Sequence, residues 1–186
     1  MRIVAGVHRG RKLAALPGTA IRPTGGRARA AAFNILEHAR FNPRPACEDA
    51  VALDAFAGTG AMGLEALSRG ARYCTFLERG RAARAILEQN IAALGEKGRS
   101  AVLGADALKP PRAAAPASLA FLDPPYAEDV AAPALAALAA AGWLLPGAIA
   151  VIEIPAKRGL IAPDGFGIID QRRYGAAKLV FLRYRG

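Results

Sequence analysis

The sequence predicts an α/β fold: a mostly parallel, seven-stranded sheet with helices packed on it, closed by an antiparallel hairpin and preceded by a small basic extension. Three observations predict it. From residue 51 onward, apolar runs of strand length alternate with helix-periodic segments, the pattern of βαβ units, whose right-handed crossovers make strands parallel. The last two runs, 167–174 and 178–184, are separated only by Gly175-Ala-Ala, which reads as a hairpin. Up to residue 44 the basic residues Arg2, Arg9, Arg11, Lys12, Arg22, Arg27, Arg29, Arg40 and Arg44 face a single acid, Glu37, so nearly all of the formal net charge of +10 lies in one arm.

Residues 2–5, with the segment after the Gly6 and Gly10 turns, read as a short hairpin or extended arm without a core of its own. Thr24 can cap a helix over about 27–39, on which Ala32, Ile35, Leu36 and Ala39 share an apolar face and Arg27 and Arg29 lie outside it. Pro43-Arg-Pro45 is a linker. It divides a basic segment, 1–45, from a main domain, 46–186, which is expected to build the ligand pocket unaided. In that domain the expected strands are 51–56, 73–77, 100–103, 119–122, 148–152, 167–174 and 178–184. Helices are expected over 60–68, 81–94 with Gly95 as the stop, and about 130–141. The helix from Arg81 is expected to turn Ala85, Ile86 and Ala93 toward the sheet and to leave Arg84, Glu88 and Gln89 polar. In 186 residues, no uncharged apolar run reaches membrane-spanning length and no apolar leader opens the chain, so a soluble, cytoplasmic protein is expected. Cys47 and Cys74 offer neither a disulfide framework nor metal-ligand spacing. With His8 and His38 the only histidines, no metal site is expected.

The chemistry starts at residues 51–63, V-A-L-D-A-F-A-G-T-G-A-M-G, where a strand runs into Gly58, Gly60 and Gly63 and a helix begins. Such a loop lets backbone approach a ligand and aims helix N–H groups at it. Asp54 ends the strand just before the loop, and beside a pyrophosphate its carboxylate would be repulsive. That favours a ligand that is cationic at this end and lacks phosphate, and S-adenosylmethionine fits. Glu78, at the end of the next strand and roughly 20 residues past the glycines, is placed to take ribose hydroxyls. In open α/β sheets ligands bind outside the carboxyl ends of the strands, so Asp54, Glu78, Asp106 and Asp123 are expected to converge there.

Asp123-Pro-Pro-Tyr126 follows the fourth strand. An exocyclic amine of a nucleobase is a poor nucleophile because its lone pair is delocalised into the ring. The Asp123 carboxylate and the Pro124 carbonyl can accept its two N–H bonds and localise that pair, while Tyr126 stacks on the base. The rest is positioning, with no metal required. The basic arm fits a polyanion partner, and equally a solvated surface.

These motifs resemble those of the bacterial 16S ribosomal RNA guanine-N2 methyltransferases. The segments M-R-I-V-A-G-V-H-R-G-R-K-L at 1–13, I-R-P-T at 21–24, F-N-I-L at 33–36, L-D-A-F-A-G-T-G at 53–60, F-L-E-R at 76–79, F-L-D-P-P-Y at 121–126 and F-L-R-Y at 181–184 carry the resemblance. It implies a Rossmann-like class I S-adenosylmethionine-dependent methyltransferase. Asp54, Phe56, Gly58, Thr59 and Gly60 would form the cofactor motif, Glu78 would hold the ribose, Arg79 would also bind the cofactor, and Asp106 would lie near the adenine amine. Asp123, Pro124, Pro125 and Tyr126 would form the catalytic motif, and Arg9, Arg11, Lys12, Arg22, Arg27 and Arg29 would contact RNA. The implied substrate is a guanine of 16S RNA in an assembly intermediate, and the implied enzyme is a monomer. Where that family has an acid and then R-V-R-E after I-R-P-T, this chain has Gly26-Arg-Ala-Arg-Ala30. An adenine-N6 methyltransferase of DNA shares D-P-P-Y but generally adds a target-recognition region, for which there is no room here. A binding module that had lost catalysis would be expected to lose Asp123 or the glycines, and both are present.

Overall fold

The computed structural model describes residues 1–16, 23–41, 45–125 and 130–186, with the backbone alone for 23–25. In chain order the elements are α1 (Pro23–His38), β1 (Val51–Ala55), α2 (Ala61–Ser68), β2 (Tyr73–Leu77), α3 (Arg81–Leu94), a 3₁₀ turn (Lys97–Arg99), β3 (Ser100–Leu103), β4 (Ala117–Leu122), α4 (Ala131–Ala140), β5 (Leu144–Pro155), β6 (Phe166–Tyr174) and β7 (Ala177–Tyr184). The seven strands form one sheet in the order β3-β2-β1-β4-β5-β7-β6. β1 to β5 are parallel. The closing hairpin folds back so that β7, not β6, pairs with β5, antiparallel. The order reverses between β1 and β4, and that switch point opens the crevice in which an α/β sheet takes its ligand.

Strand residues alternate between two cores. Phe121, Val151 and Phe181 join a cluster with Phe33 and Leu36 of α1, Leu64 and Leu67 of α2, and Leu87 of α3. Leu53, Leu122, Ile152 and Leu182 face the other way, onto Leu135 and Leu138 of α4. Ile3 and Leu13 of the arm are buried in the first cluster, so apolar packing continues from the basic segment into the main domain.

Four expectations need correction. α1 starts at Pro23, which puts Thr24 in its first turn rather than at its cap, and a proline suits that turn because the N–H it lacks would go unbonded there. β1 ends at Ala55, since Phe56 takes φ 63° and leaves the strand direction. The buried face of α3 is Ala83, Leu87, Asn90, Ile91 and Leu94, while Ala85 and Ala93 are exposed. Asn90 earns its buried place by hydrogen bonds: its Oδ1 accepts from Ala14 N–H (2.7 Å), and its Nδ2 donates to the carbonyls of Thr59 (2.9 Å) and Ala14 (3.1 Å). Finally, Arg29 is not outside the apolar face of α1 but only 6% exposed.

The arm is a turn closed by an Arg2–Lys12 antiparallel bridge and docked on α2 and α3. The Glu65 carboxylate, fully buried on α2, accepts from Val4 N–H (2.8 Å) and Ala5 N–H (3.0 Å) and from Arg69 Nε (2.8 Å), with Arg29 Nε 3.9 Å away. Arg69 also reaches Glu37 of α1 (2.5 Å) and lies over the Phe33 ring, 4.9 Å from its centroid. Ser68 Oγ donates to Ala5 O (2.6 Å) and accepts from His8 N–H (3.0 Å), and the His8 ring meets Glu96 (2.5 Å). Gly6 makes this fit possible: a Cβ there would stand 1.8 Å from the Ser68 carbonyl oxygen. The Arg22 and Tyr126 expectations, and most of the proline linker, lie outside the described residues.

Candidate active site

A cavity of about 460 Å³ lies across the carboxyl ends of the strands, within the usual size range of small-molecule sites. Asp106 and Glu78 line it beyond β3 and β2, Phe56 and Gly58 beyond β1, and Asp123 to Pro125 beyond β4; Val151 and Glu153 of β5 and Leu179 of β7 complete the far side. Met1, Leu16, Gly26 and Arg29 roof it. The arm therefore belongs to the pocket wall, and the expectation that the main domain builds the pocket alone is corrected.

Glu78 is held from two sides: Gly58 N–H donates to Oε2 (2.8 Å) and Gly80 N–H to Oε1 (2.6 Å). Each carboxylate oxygen keeps a second lone pair for a ligand hydroxyl. Phe56, a non-glycine residue in the left-handed region, turns the chain from β1 into the loop; such conformations persist where surrounding structure enforces them, often at binding sites. A Cβ on Gly58 would meet nothing within 4 Å, leaving space over the loop, whereas one on Gly63 would stand 2.3 Å from the Phe76 ring. Gly63 thus lets α2 approach β2 closely. Asp106 Oδ1 accepts from Leu108 N–H (2.9 Å), and Arg79 lies 3.4 Å from its other oxygen.

Asp54 departs from expectation. Its carboxylate is 2% exposed, does not line the cavity, and accepts Gly63 N–H in the first turn of α2 (2.8 Å). Burial pushes its pKa well above the usual carboxylate range; the Gly63 bond opposes this, and the nearby Asp123 and Glu78 add to it. Asp54 therefore faces its own helix and not a cationic ligand. A dinucleotide is still disfavoured, on different ground: the helix N-terminus that would take a pyrophosphate already holds a carboxyl group. Gly60 likewise faces inward, its added Cβ 2.3 Å from Leu87, while Thr59 and Arg79 line the cavity.

The arginines expected at RNA divide. Arg9, Arg11, Lys12 and Arg27 are exposed, with Arg11 donating to Ala93 O (2.7 Å). Arg29 instead donates to the Met1 sulfur and to Arg2 O (2.6 Å), its Nε is buried without a hydrogen bond, and burial lowers its pKa against the pull of Glu65. It ties arm to helix and is not presented to a phosphate. Glu153 was missed, although an acid inside the apolar run A-I-A-V-I-E-I-P was a readable signal. Among the described residues no group of acids, histidines or cysteines is arranged for a metal, and no helix is long and apolar enough to cross a membrane.

The sheet order, the glycine loop at the switch point and the acids at the strand ends define a Rossmann-like class I methyltransferase. Its methyl donor is S-adenosylmethionine, which the Glu78 cradle and the open space over Gly58 fit. The chain belongs to the family described as Conserved hypothetical protein 95, which matches residues 1–183 and takes in the small-subunit ribosomal RNA methyltransferases D. It is 34% identical to ribosomal RNA small subunit methyltransferase D of Haemophilus influenzae, over 94% of this chain and 89% of the relative. To the protein of that name from Escherichia coli K12 it is 36% identical, over 86% and 77%. Among solved structures, the Escherichia coli methyltransferase yhhF superposes with a TM-score of 0.85 at 31% identity, covering 100% of this chain and 98% of that one. A Haemophilus influenzae methylase gives 0.79 at 30%, covering 100% and 98%.

Proposed function

We propose that this protein methylates small-subunit ribosomal RNA, at the exocyclic N2 amine of a guanine. The observation that carries the reading is one continuous cavity with Glu78 and Asp106 at one end and Asp123 with Pro124 at its middle, in a chain whose relatives are named for small-subunit RNA methylation. When bound, S-adenosylmethionine supplies an electrophilic methyl group on a sulfonium. Glu78 grips the ribose through the oxygen lone pairs that Gly58 and Gly80 leave open, and Asp106 stands by the adenine. Asp123 and the Pro124 carbonyl accept the two N–H bonds of the amine, so its lone pair localises toward the methyl group. Tyr126 stacks on the flipped base. The proton lost from nitrogen on transfer passes to Asp123, which is exposed and can release it to water.

Arg9, Arg11, Lys12 and Arg27 offer an exposed basic surface for RNA phosphates, so residues 1–45 serve recognition as well as roofing the pocket. Arg22 is assigned to the same surface on sequence alone. We place the activity in the cytoplasm, carried out by a monomer on a small-subunit assembly intermediate. The test is mass mapping of 16S RNA from cells with and without the gene. One N2-methylguanosine should vanish with the gene and return with it; an unchanged map, or loss of a methyl group from another base, overturns the reading.

A further inference from the structure

The cavity has two unlike halves. Over β3, β2 and β1 lie Asp106, Glu78 and Phe56, and over β4, β5 and β7 lie Asp123, Val151, Glu153 and Leu179. If the first half takes the cofactor, the second is where a base must lie, and among the described residues Glu153 is a charged wall residue there, with Asp123 and the roofing Arg29. The register places it closely. Leu122, the last residue of β4, pairs with Ile152 of β5, so Asp123 leaves β4 one step beyond the pair from which β5 continues into Glu153. Strand alternation turns Glu153 to the same face as Val151, the face on which Phe121 precedes Asp123, and all four line the cavity.

We propose that Glu153 is a specificity-determining residue that accepts the N1–H of guanine while Asp123 and Pro124 hold the neighbouring N2 amine. This rests on the guanine-N2 reading above. The base edge supplies the argument: guanine presents adjacent donors, N1–H and N2–H₂, whereas adenine and 2-aminopurine present a bare N1 lone pair next to an amine. A carboxylate oxygen of Glu153 accepts from the first and is repelled by the second, and a site built to hydrogen-bond a donor of its substrate rejects an analogue lacking that donor far more strongly than one lacking only apolar contact. Its strand position fixes the backbone that carries it, and the longer glutamate side chain spans from β5 toward the base held at β4.

The test uses small-subunit particles reconstituted on RNA carrying either guanine or 2-aminopurine at the methylated position; 2-aminopurine keeps the amine but lacks N1–H. The wild-type protein should prefer guanine by at least ~10²-fold in kcat/KM. In Glu153→Gln the amide can turn its NH₂ to a bare N1, so the preference should fall to ~10-fold or less while cofactor affinity stays within a few fold. That last measurement also reports folding. Equal wild-type rates on the two bases, or a preference unchanged in a cofactor-binding Glu153→Gln, would overturn the role of Glu153. Failure of wild type to methylate the guanine particle at all would instead sink the guanine-N2 reading.

Discussion

The two halves of the cavity are held in shape by different means. Over β1 to β3 the wall is held by backbone bound to nearby side chains, Gly58 and Gly80 to Glu78 and Leu108 to Asp106, with Gly63 to Asp54 behind it, none more than 20 residues apart. Over β4 to β7 the floor is strand, but the roof is Met1 and Arg29, held through an ionic network on Glu65 some 60 residues away from the arm. A site that binds a small cofactor gains from being built before the ligand arrives, since no ordering entropy is then lost on binding. The half over β4 to β7 rests instead on a segment distant in sequence.

Removing the clasp should give the largest effect. Glu65→Ala leaves Arg29 without its counter-charge and part of Arg69 and two arm amides without their buried acceptor, so denaturation should show a loss of about 3–5 kcal/mol. Limited proteolysis should cut the arm first. If the arm stays protected in this variant, the roof is held by apolar packing of Ile3 and Leu13, and the contrast between the halves is weaker than drawn.

Next in size, Asp123→Ala should lower the methylation rate by at least ~10²-fold and leave cofactor affinity within a few fold. Near-normal turnover would make this carboxylate structural. A smaller effect is expected at the arm surface, where replacing Arg9, Arg11 or Lys12 by Ala should flatten the plot of log RNA affinity against log salt by somewhat under one unit per charge. Arg29→Ala should destabilise the protein instead and change affinity without that per-charge signature. A salt slope that ignores the exposed residues would reduce the arm to a solvated face.

The smallest effect concerns Asp54, whose folded pKa is raised above its unfolded value of about 3.9. Folding then binds protons, so this group's contribution is fully present below the unfolded pKa and is lost as pH rises through the folded one. Asp54→Asn keeps an acceptor for Gly63 and removes that loss. Its stability relative to wild type, from urea titrations, should therefore climb as pH is raised from about 4. Glu96 runs the other way. Burial works against its charge, but His8 and Arg99 outweigh burial and hold its pKa below the usual range, so the His8 clasp weakens as pH falls through that value. A flat Asp54→Asn difference across the pH range would remove the burial argument.

The residues that line the cavity over β1 to β3 were readable in part because their signals are local: a glycine loop after β1, and Glu78 and Asp106 just beyond β2 and β3. What the sequence did not disclose is where side chains turn. Whether Asp54 faces a ligand or its own helix depends on the left-handed Phe56 and the Gly63 N–H, neither of which a spacing rule reports. Arg29 looked like part of a basic surface because charge counts carry no burial, and its counter-charge at Glu65 lies far along the chain. The face of α3 was misjudged because a buried Asn breaks an apolar stripe while satisfying Ala14 and Thr59. The opposite half of the pocket draws on residues 1, 29, 123, 153 and 179, which only the folded sheet brings together.

The docking of the arm also fixes an order of events when the chain is made. Residues 1–13 are made before their partners Glu65, Ser68 and Glu96, so the arm waits for residue 96 before the His8 clasp exists. The turn after α1 waits longer still, for Arg183 donates to Phe41 O across 142 residues, and Phe181 meets the Phe41 ring at 6.0 Å. Contacts this distant in sequence slow folding and leave apolar surface uncovered meanwhile. The arm can therefore close over the pocket once residue 96 is made, while the Phe41 contacts wait for residues 181 and 183.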